Sequence, residues 1–239
     1  MTRARRAVCR LLERVKGSLP EDAPKSIRME LVLDRAILAD LSGDAEEAKT
    51  CYDQVLRRAR KAADPEIIGQ AMVGLAELER FDGNLDAAET LYQDALEIQK
   101  PLGHQRFEAI TRVNLAIVAL ARGDLDGADR NLDLVAELGA DVAHPEVAVV
   151  YSFCRALVAS RRDDLGAARR ELYRYQAVNS RVHLHEPDIA EALEELGLKF
   201  REAGEQDYGD GLLEQSIAMW NDLDLPMRAT ETKEKAGWA

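Results

Sequence analysis

Residues 83–96, which read GNLDAAETLYQDAL, decide the fold. Gly83 tolerates the left-handed conformation that ends a helix, and Asn84 can cap the helix that follows. Apolar residues then recur at helical spacing, which is typical of a helix with one buried face. They are Leu85, Ala88, Leu91, Tyr92, Ala95 and Leu96. The stretch therefore predicts a tight turn followed by an amphipathic helix.

The same pattern returns along the chain at a period of 40 residues. The turn residues are Gly43, Gly83, Gly123, Asp163 and Gly204, so the spacing is 40 three times and then 41. Small residues stand seven positions before and five positions after each turn residue, and a bulky residue stands nine after it. The small residues are Ala36, Ala76, Ala116, Ala156 and Gly197, then Ala48, Ala88, Ala128, Ala168 and Gly209; the bulky ones are Tyr52, Tyr92, Leu132, Leu172 and Leu213. Because small side chains let two helices cross closely, each period predicts a helical hairpin.

This order of small, turn, small and bulky residues resembles the tetratricopeptide repeat family. The 40-residue period resembles its long-helix subgroup, found in kinesin light chains and in bacterial signalling regulators. The resemblance implies an all-α fold, a right-handed superhelical solenoid of about five helix-turn-helix hairpins with terminal capping helices. We therefore divide the chain into residues 1–24, an N-terminal capping helix or half repeat, residues 25–225, the five repeats, and residues 226–239, a C-terminal capping helix. In repeat five, Gly209 and Ser216 replace the expected alanines, which predicts a loosely packed second helix.

The composition limits the classes of function. The formal net charge of −12 opposes binding to the anionic backbone of nucleic acid and suits basic partners. The three cysteines form no paired motif, which favours a reducing compartment, and residues 147–154, the longest apolar stretch, are too few to span a membrane. We expect a cytoplasmic protein without nucleic-acid or membrane partners. The arginines of repeat four are expected to pair with neighbouring acids; they are Arg161, Arg162, Arg169, Arg170 and Arg174.

The sequence holds no nucleophile elbow and no glycine-rich phosphate loop, and we predict no catalytic residue, no cofactor and no metal. His183, His185, Glu186 and Asp188 are the only cluster of metal-ligand types. This cluster lacks the spacing of a zinc site, and acids that precede a helix are ordinary capping residues. A metal-dependent enzyme at this loop is the enzymatic alternative.

The family resemblance implies that the first helix of each hairpin lines a concave groove. Transferring its columns by register gives fourteen candidate partner-binding residues: Asp34, Ile37, Glu77, Arg80, Phe81, Val113, Asn114, Ile117, Leu120, Val150, Phe153, Leu157, Glu194 and Glu195. The middle of this set is apolar and its ends are acidic, so the matching ligand has an apolar stripe and basic flanks, as an amphipathic helix does. The other interpretation is that the apolar members are core, because long hairpins bury such faces against one another.

These observations predict a protein–protein interaction scaffold, or the regulatory domain of a bacterial signalling protein. It would bind a protein or peptide segment in the concave groove. The alternative is a structural self-association module, for example a homodimer.

Overall fold

The computed structural model describes residues 25–41, 43–139 and 143–238, and these residues form eleven α-helices and no strand. The helices are α1 (Lys25–Leu41), α2 (Ala45–Ala62), α3 (Pro65–Phe81), α4 (Leu85–Gln99), α5 (Gln105–Ala121), α6 (Leu125–Glu137), α7 (Pro145–Arg161), α8 (Leu165–Val182), α9 (Pro187–Glu202), α10 (Gln206–Asp222) and α11 (Pro226–Ala236). The predicted all-α fold is confirmed. The N-terminal cap predicted for residues 1–24 lies outside the described residues.

All five predicted turn residues adopt positive φ, with Asp163 taking the place that glycine has in the other turns. Asp44, Asp124 and Asp164 then cap the second helix, because each side chain accepts a hydrogen bond from the backbone N–H three residues later. Asn84 does not cap α4 in this way; its amide nitrogen donates to Glu79 at 2.9 Å. The 40-residue period is therefore a period of hairpins.

Packing divides the chain inside α5 into an N-terminal unit that ends at Val118 and a C-terminal unit that starts at Ala119. In the N-terminal unit, one core cluster joins α1, α2, α3 and α4, and a second joins α3, α4 and α5. In the C-terminal unit, α7 packs against α8 and α9 packs against α10. Every residue of the predicted small and bulky columns is buried. The register read from the sequence is thus the register of the helix crossings.

The second helix of repeat five is tightly packed, so the prediction of a loose helix was wrong. Gly197 and Gly209 face each other where α9 crosses α10, and a Cβ added to Gly209 would lie 2.5 Å from the Gly197 carbonyl oxygen. The Ser216 hydroxyl is fully buried and donates to the Ala190 carbonyl at 2.7 Å. Glycine at both crossing positions lets the two backbones approach more closely than alanine would.

Helix α11 occupies the place predicted for a C-terminal capping helix and packs against α10. Its buried residues, Ala229, Thr232 and Ala236, are small. The long side chains of α11 therefore lie outside the surface by which it packs. Across the described parts of the chain, no helix is both long enough and apolar enough to span a membrane.

Candidate partner-binding face

The fourteen candidate residues differ widely in exposure. Asp34, Ile37 and Phe81 are exposed. Five are partly buried, namely Glu77, Arg80, Ile117, Val150 and Glu195, and six are buried, namely Val113, Asn114, Leu120, Phe153, Leu157 and Glu194. All three exposed candidates belong to the N-terminal unit, so the two units offer different surfaces.

Most of the predicted apolar middle is core. Val113 is 3% exposed, Phe153 3% and Leu157 6%. The structure follows the second interpretation for these side chains, because long stacked hairpins exclude water from the apolar faces of their first helices. In this form of the protein they present no surface on which a partner could anchor.

The N-terminal unit has a polar cluster between its first helices. The Asn114 amide nitrogen donates to the Glu77 carboxylate at 3.1 Å. Burial raises the pKa of Tyr52, and the nearby carboxylates Asp40 and Glu77 raise it further. The Tyr52 ring fills the space beside Gly74, where a Cβ would overlap it. Asn114, which matches the family asparagine for peptide backbones, therefore already has a partner in the same unit.

Beside this cluster, the N-terminal unit exposes apolar side chains next to charges. Ile37 is 40% exposed and Phe81 is 53% exposed. The Arg80 guanidinium lies 4.4 Å from the centroid of the Phe81 ring, which holds the ring by a cation–π contact. Glu30 and Asp34 are exposed and lie on the same side of α1 as Ile37, because residues three and four apart share a helix face. We call Glu30, Asp34, Ile37, Arg80 and Phe81 the N-terminal face.

Both candidate acids of the C-terminal unit are paired within the chain. Glu195 accepts two hydrogen bonds from Arg161, each 2.7 Å long, and these bonds raise the pKa of Arg161. Glu194 is only 7% exposed; it accepts from Lys235 at 2.5 Å and from the Thr232 hydroxyl. The expectation of two open acidic side chains at this end therefore needs correction, because neighbouring helices supply their counter-charges.

Helix α11 supplies much of this pairing, and the sequence reasoning did not foresee it. Arg228 pairs with Glu191 at 2.8 Å, although burial still raises the pKa of Glu191. Lys235 and Thr232 reach Glu194 from the same helix. The available signal was the excess of basic residues in residues 226–236 opposite the acid-rich α9. The polar composition of α11 thus complements the acids of α9.

Several of the other charged groups singled out in the sequence have ordinary partners. Arg162 pairs with Asp126 and Asp129, which confirms ion pairing for that arginine of repeat four. Arg161, Arg169 and Arg174 pair in the same way, with Glu195, Glu205 and Glu171. His185 lies 3.3 Å from Asp222. In the described ranges, no three histidine, cysteine or acidic residues form a group that could hold a metal ion.

Asp40 lies near the polar cluster of Tyr52, Glu77 and Asn114. Its burial should make the free energy of unfolding depend on pH. Burial raises its pKa above the ordinary 3.8, and Arg80 offsets only part of the effect. The native state therefore keeps this proton to higher pH than the unfolded state, so the contribution of Asp40 to stability falls as pH rises from about 4. Asparagine cannot ionise. We expect the unfolding free energy of the wild type, minus that of Asp40→Asn, to decrease with pH in urea titrations. A difference that grows with pH would show that the attraction to Arg80 outweighs burial.

Comparisons with known proteins agree with this architecture. A profile of the tetratricopeptide repeat matches residues 29–100 and 67–138. No curated protein matches the chain. Among solved structures, BtubC (BKLC) from P. vanneervenii is 20% identical with a TM-score of 0.63, and the match covers 92% of this chain and 91% of BtubC. A Rap protein complexed with Competence and Sporulation Factor is 13% identical with a TM-score of 0.66, over 95% of this chain and 70% of that one. A putative kinesin light chain from Podosopora anserina is 19% identical with a TM-score of 0.55, over 82% and 96%.

Proposed function

We propose that this chain, a tetratricopeptide-repeat protein, binds a polypeptide segment on its N-terminal face. The observation that carries the proposal is the exposure of Ile37 and Phe81, at 40% and 53%. Glu30 and Asp34 are exposed on the side of α1 that carries Ile37, and Arg80 lies against the Phe81 ring. Most other large apolar residues on the first helices are buried. Exposed apolar side chains with charged neighbours are the components of protein interfaces, which have an apolar centre and a polar rim.

The charges define the partner. Glu30 and Asp34 are solvent-exposed, and the chain as a whole carries a net charge of −12. A segment with apolar side chains at helical spacing and lysine or arginine beside them would cover Ile37 and Phe81 while its bases approach the two acids. The apolar contacts would supply most of the affinity, and the charges would mainly speed association.

The comparisons support binding as the mode of action. Tetratricopeptide-like helical scaffolds are the proteins that this chain is similar to, and one of them is seen in complex with Competence and Sporulation Factor. Catalysis would need convergent reactive groups. The polar cluster of the N-terminal unit instead pairs Asn114 with Glu77 in a structural hydrogen bond.

The direct test is selection of ligands from a displayed library of random peptides on the full chain. We expect selected peptides to share an apolar stripe with lysine or arginine at its edges. Phe81→Ala should weaken their binding by about 2 kcal/mol, or roughly 30-fold, if Phe81 is a hot spot. Ile37→Asp should weaken it at least as much. The measurement is calorimetric titration of each variant.

Tyr173→Ala is the matched control, because Tyr173 is a similarly exposed aromatic residue, at 57%, in the C-terminal unit. It should leave the affinity unchanged. Peptides that bind Ile37→Asp and Phe81→Ala as tightly as the wild type would refute the proposal. If the library yields no ligand and light scattering shows a dimer that Ile37→Asp dissociates, the face serves self-association instead.

A further inference from the structure

Helix α2 ends in a cluster of basic side chains. We call Arg57, Arg58, Arg60 and Lys61 the basic end of α2. All four are exposed, whereas Ala59 between them is buried, so the bases occupy the solvent side of the helix where it ends. Residues three and four apart are neighbours on a helix surface, and Lys61 therefore lies next to both Arg57 and Arg58. A chain with a net charge of −12 thus concentrates positive charge at one place.

The basic end of α2 has no acidic partner among the residues that the structure describes. Other arginines of the chain behave differently, since Arg155, Arg161 and Arg228 each bind a carboxylate. Like charges three and four residues apart on a helix repel each other and destabilise it. The cluster therefore lowers the stability of the free protein, and an anionic ligand would remove this repulsion.

The helical hairpin does not require these bases. A base near the C-terminus of a helix interacts favourably with the helix dipole, and Arg60 and Lys61 lie in the last turn of α2. However, α4, α6 and α10 have no basic residue in the last turn, and α8 has only Arg181. The position 40 residues after Arg57 holds an acid, Glu97. The cluster is therefore a property of repeat one and not of the repeat fold.

We propose that the basic end of α2 binds a short acidic segment of another polypeptide, rich in aspartate and glutamate. Three of the four bases are arginines, whose planar guanidinium groups match the geometry of a carboxylate. The length of the ligand follows from the charge of the rest of the chain. A short segment contacts the four bases alone, whereas a long polyanion would also meet the surface of a protein whose net charge is −12.

The surroundings of the cluster argue against two other anionic partners. Proteins that bind single-stranded nucleic acid stack its bases on aromatic side chains, but Tyr52, the one aromatic residue in the sequence of α2, is buried. A helix that lies on a membrane inserts apolar side chains, and α2 exposes no large apolar residue along its described length, Ala45–Ala62. An acidic polypeptide needs neither feature.

A fluorescein-labelled hexaglutamate peptide tests the site on the full chain by fluorescence anisotropy. We expect saturable binding at an ionic strength of about 0.15 M, where weak and scattered surface attractions are largely screened. Arg57→Glu combined with Lys61→Glu should weaken this binding at least roughly tenfold, because two attractions become two repulsions. Arg181→Glu is the matched control, since Arg181 is an exposed base at the position of Lys61 in α8. It should change the affinity less than about twofold.

Absence of saturable binding at this ionic strength would overturn the proposal, as would a double variant that binds like the wild type. Oligothymidylate of equal charge and vesicles that contain phosphatidylserine are the competing probes. If either binds more tightly than hexaglutamate and the double variant loses that binding, the site serves nucleic acid or a membrane and the proposal is wrong. A dimer that the double variant dissociates in light scattering would overturn it in favour of a second copy of the chain.

The site is tested independently of the N-terminal face. Ile37→Asp and Phe81→Ala should leave the affinity for hexaglutamate unchanged, because neither residue belongs to α2. If either variant weakens this binding as much as the double variant does, the acidic segment binds the N-terminal face and the proposal is overturned. The peptides selected for the N-terminal face carry basic residues, so the two proposals succeed or fail separately.

Discussion

Phe153→Ala should lower the free energy of unfolding by about 3–5 kcal/mol, the usual cost of removing a buried phenylalanine ring. Phe153 is 3% exposed in the interior of α7, and its neighbours Ser152 and Cys154 are also buried. The loss combines the transfer free energy of the ring with the cavity left behind. Urea titration followed by circular dichroism measures it.

Phe81→Ala provides the matched control, because it is the same substitution at a ring that is 53% exposed. It should cost less than about 1 kcal/mol, since a surface substitution usually changes stability little. The pair separates the two interpretations of the apolar first-helix residues: Phe153 should affect folding, and Phe81 should affect binding. If the Phe153→Ala protein is as stable as the wild type and binds peptides more weakly, Phe153 belongs to the binding surface and not to the core.

Gly209→Leu should also be strongly destabilising, by about 3 kcal/mol, at the upper end of typical overpacking costs. A Cβ at this position lies 2.5 Å from the Gly197 carbonyl oxygen and 3.0 Å from the Arg201 backbone nitrogen, so the two backbones must separate to admit it. A side-chain rotation cannot relieve such a contact. Thermal unfolding should report a clear fall in Tm.

Gly211→Leu tests the same change two residues along α10, where an added Cβ meets no atom within 4 Å. Leucine favours the helix over glycine by several tenths of a kcal/mol, so this variant should be as stable as the wild type or slightly more stable. Opposite signs at positions 209 and 211 are the expected result. Equal effects would mean that helix propensity, and not the close crossing of α9 and α10, governs this helix.

The turn register allowed the fold to be predicted from the sequence. Left-handed turns at fixed spacing, with small residues at set distances on both sides, leave few arrangements other than stacked hairpins. Local chemistry acts over only a few residues, so Gly83, Ala76 and Ala88 already define one hairpin in the sequence. Repeat five shows the limit of this reasoning. Gly209 was interpreted as a defect, because the sequence alone does not show that it packs against Gly197 where α9 crosses α10.

The candidate site was less predictable, because exposure depends on neighbours far along the chain. Leu157 and Ile37 stand in the same column of the repeat, but Leu157 is 6% exposed and Ile37 is 40% exposed. The sequence suggested that the charge of Glu194 steers a partner. In the structure, Lys235 of α11, 41 residues later in the chain, pairs with Glu194. A column pattern identifies the side of a helix, but only the packed neighbours determine whether water reaches it.

Arg161 has a consequence for how the C-terminal unit unfolds. Its guanidinium donates to the Leu120 carbonyl in α5 at 2.6 Å and also holds Glu195 in α9. In repeat proteins each repeat contacts only its neighbours. The free energy of unfolding is therefore close to a sum of the free energies of the repeats and of the interfaces between neighbouring repeats. Arg161 takes part in two successive interfaces. Its loss weakens both together, so the free energies of these interfaces do not add independently. Three consecutive hairpins are thereby joined at a single residue, and fraying from the C-terminal end should advance through them as one cooperative step.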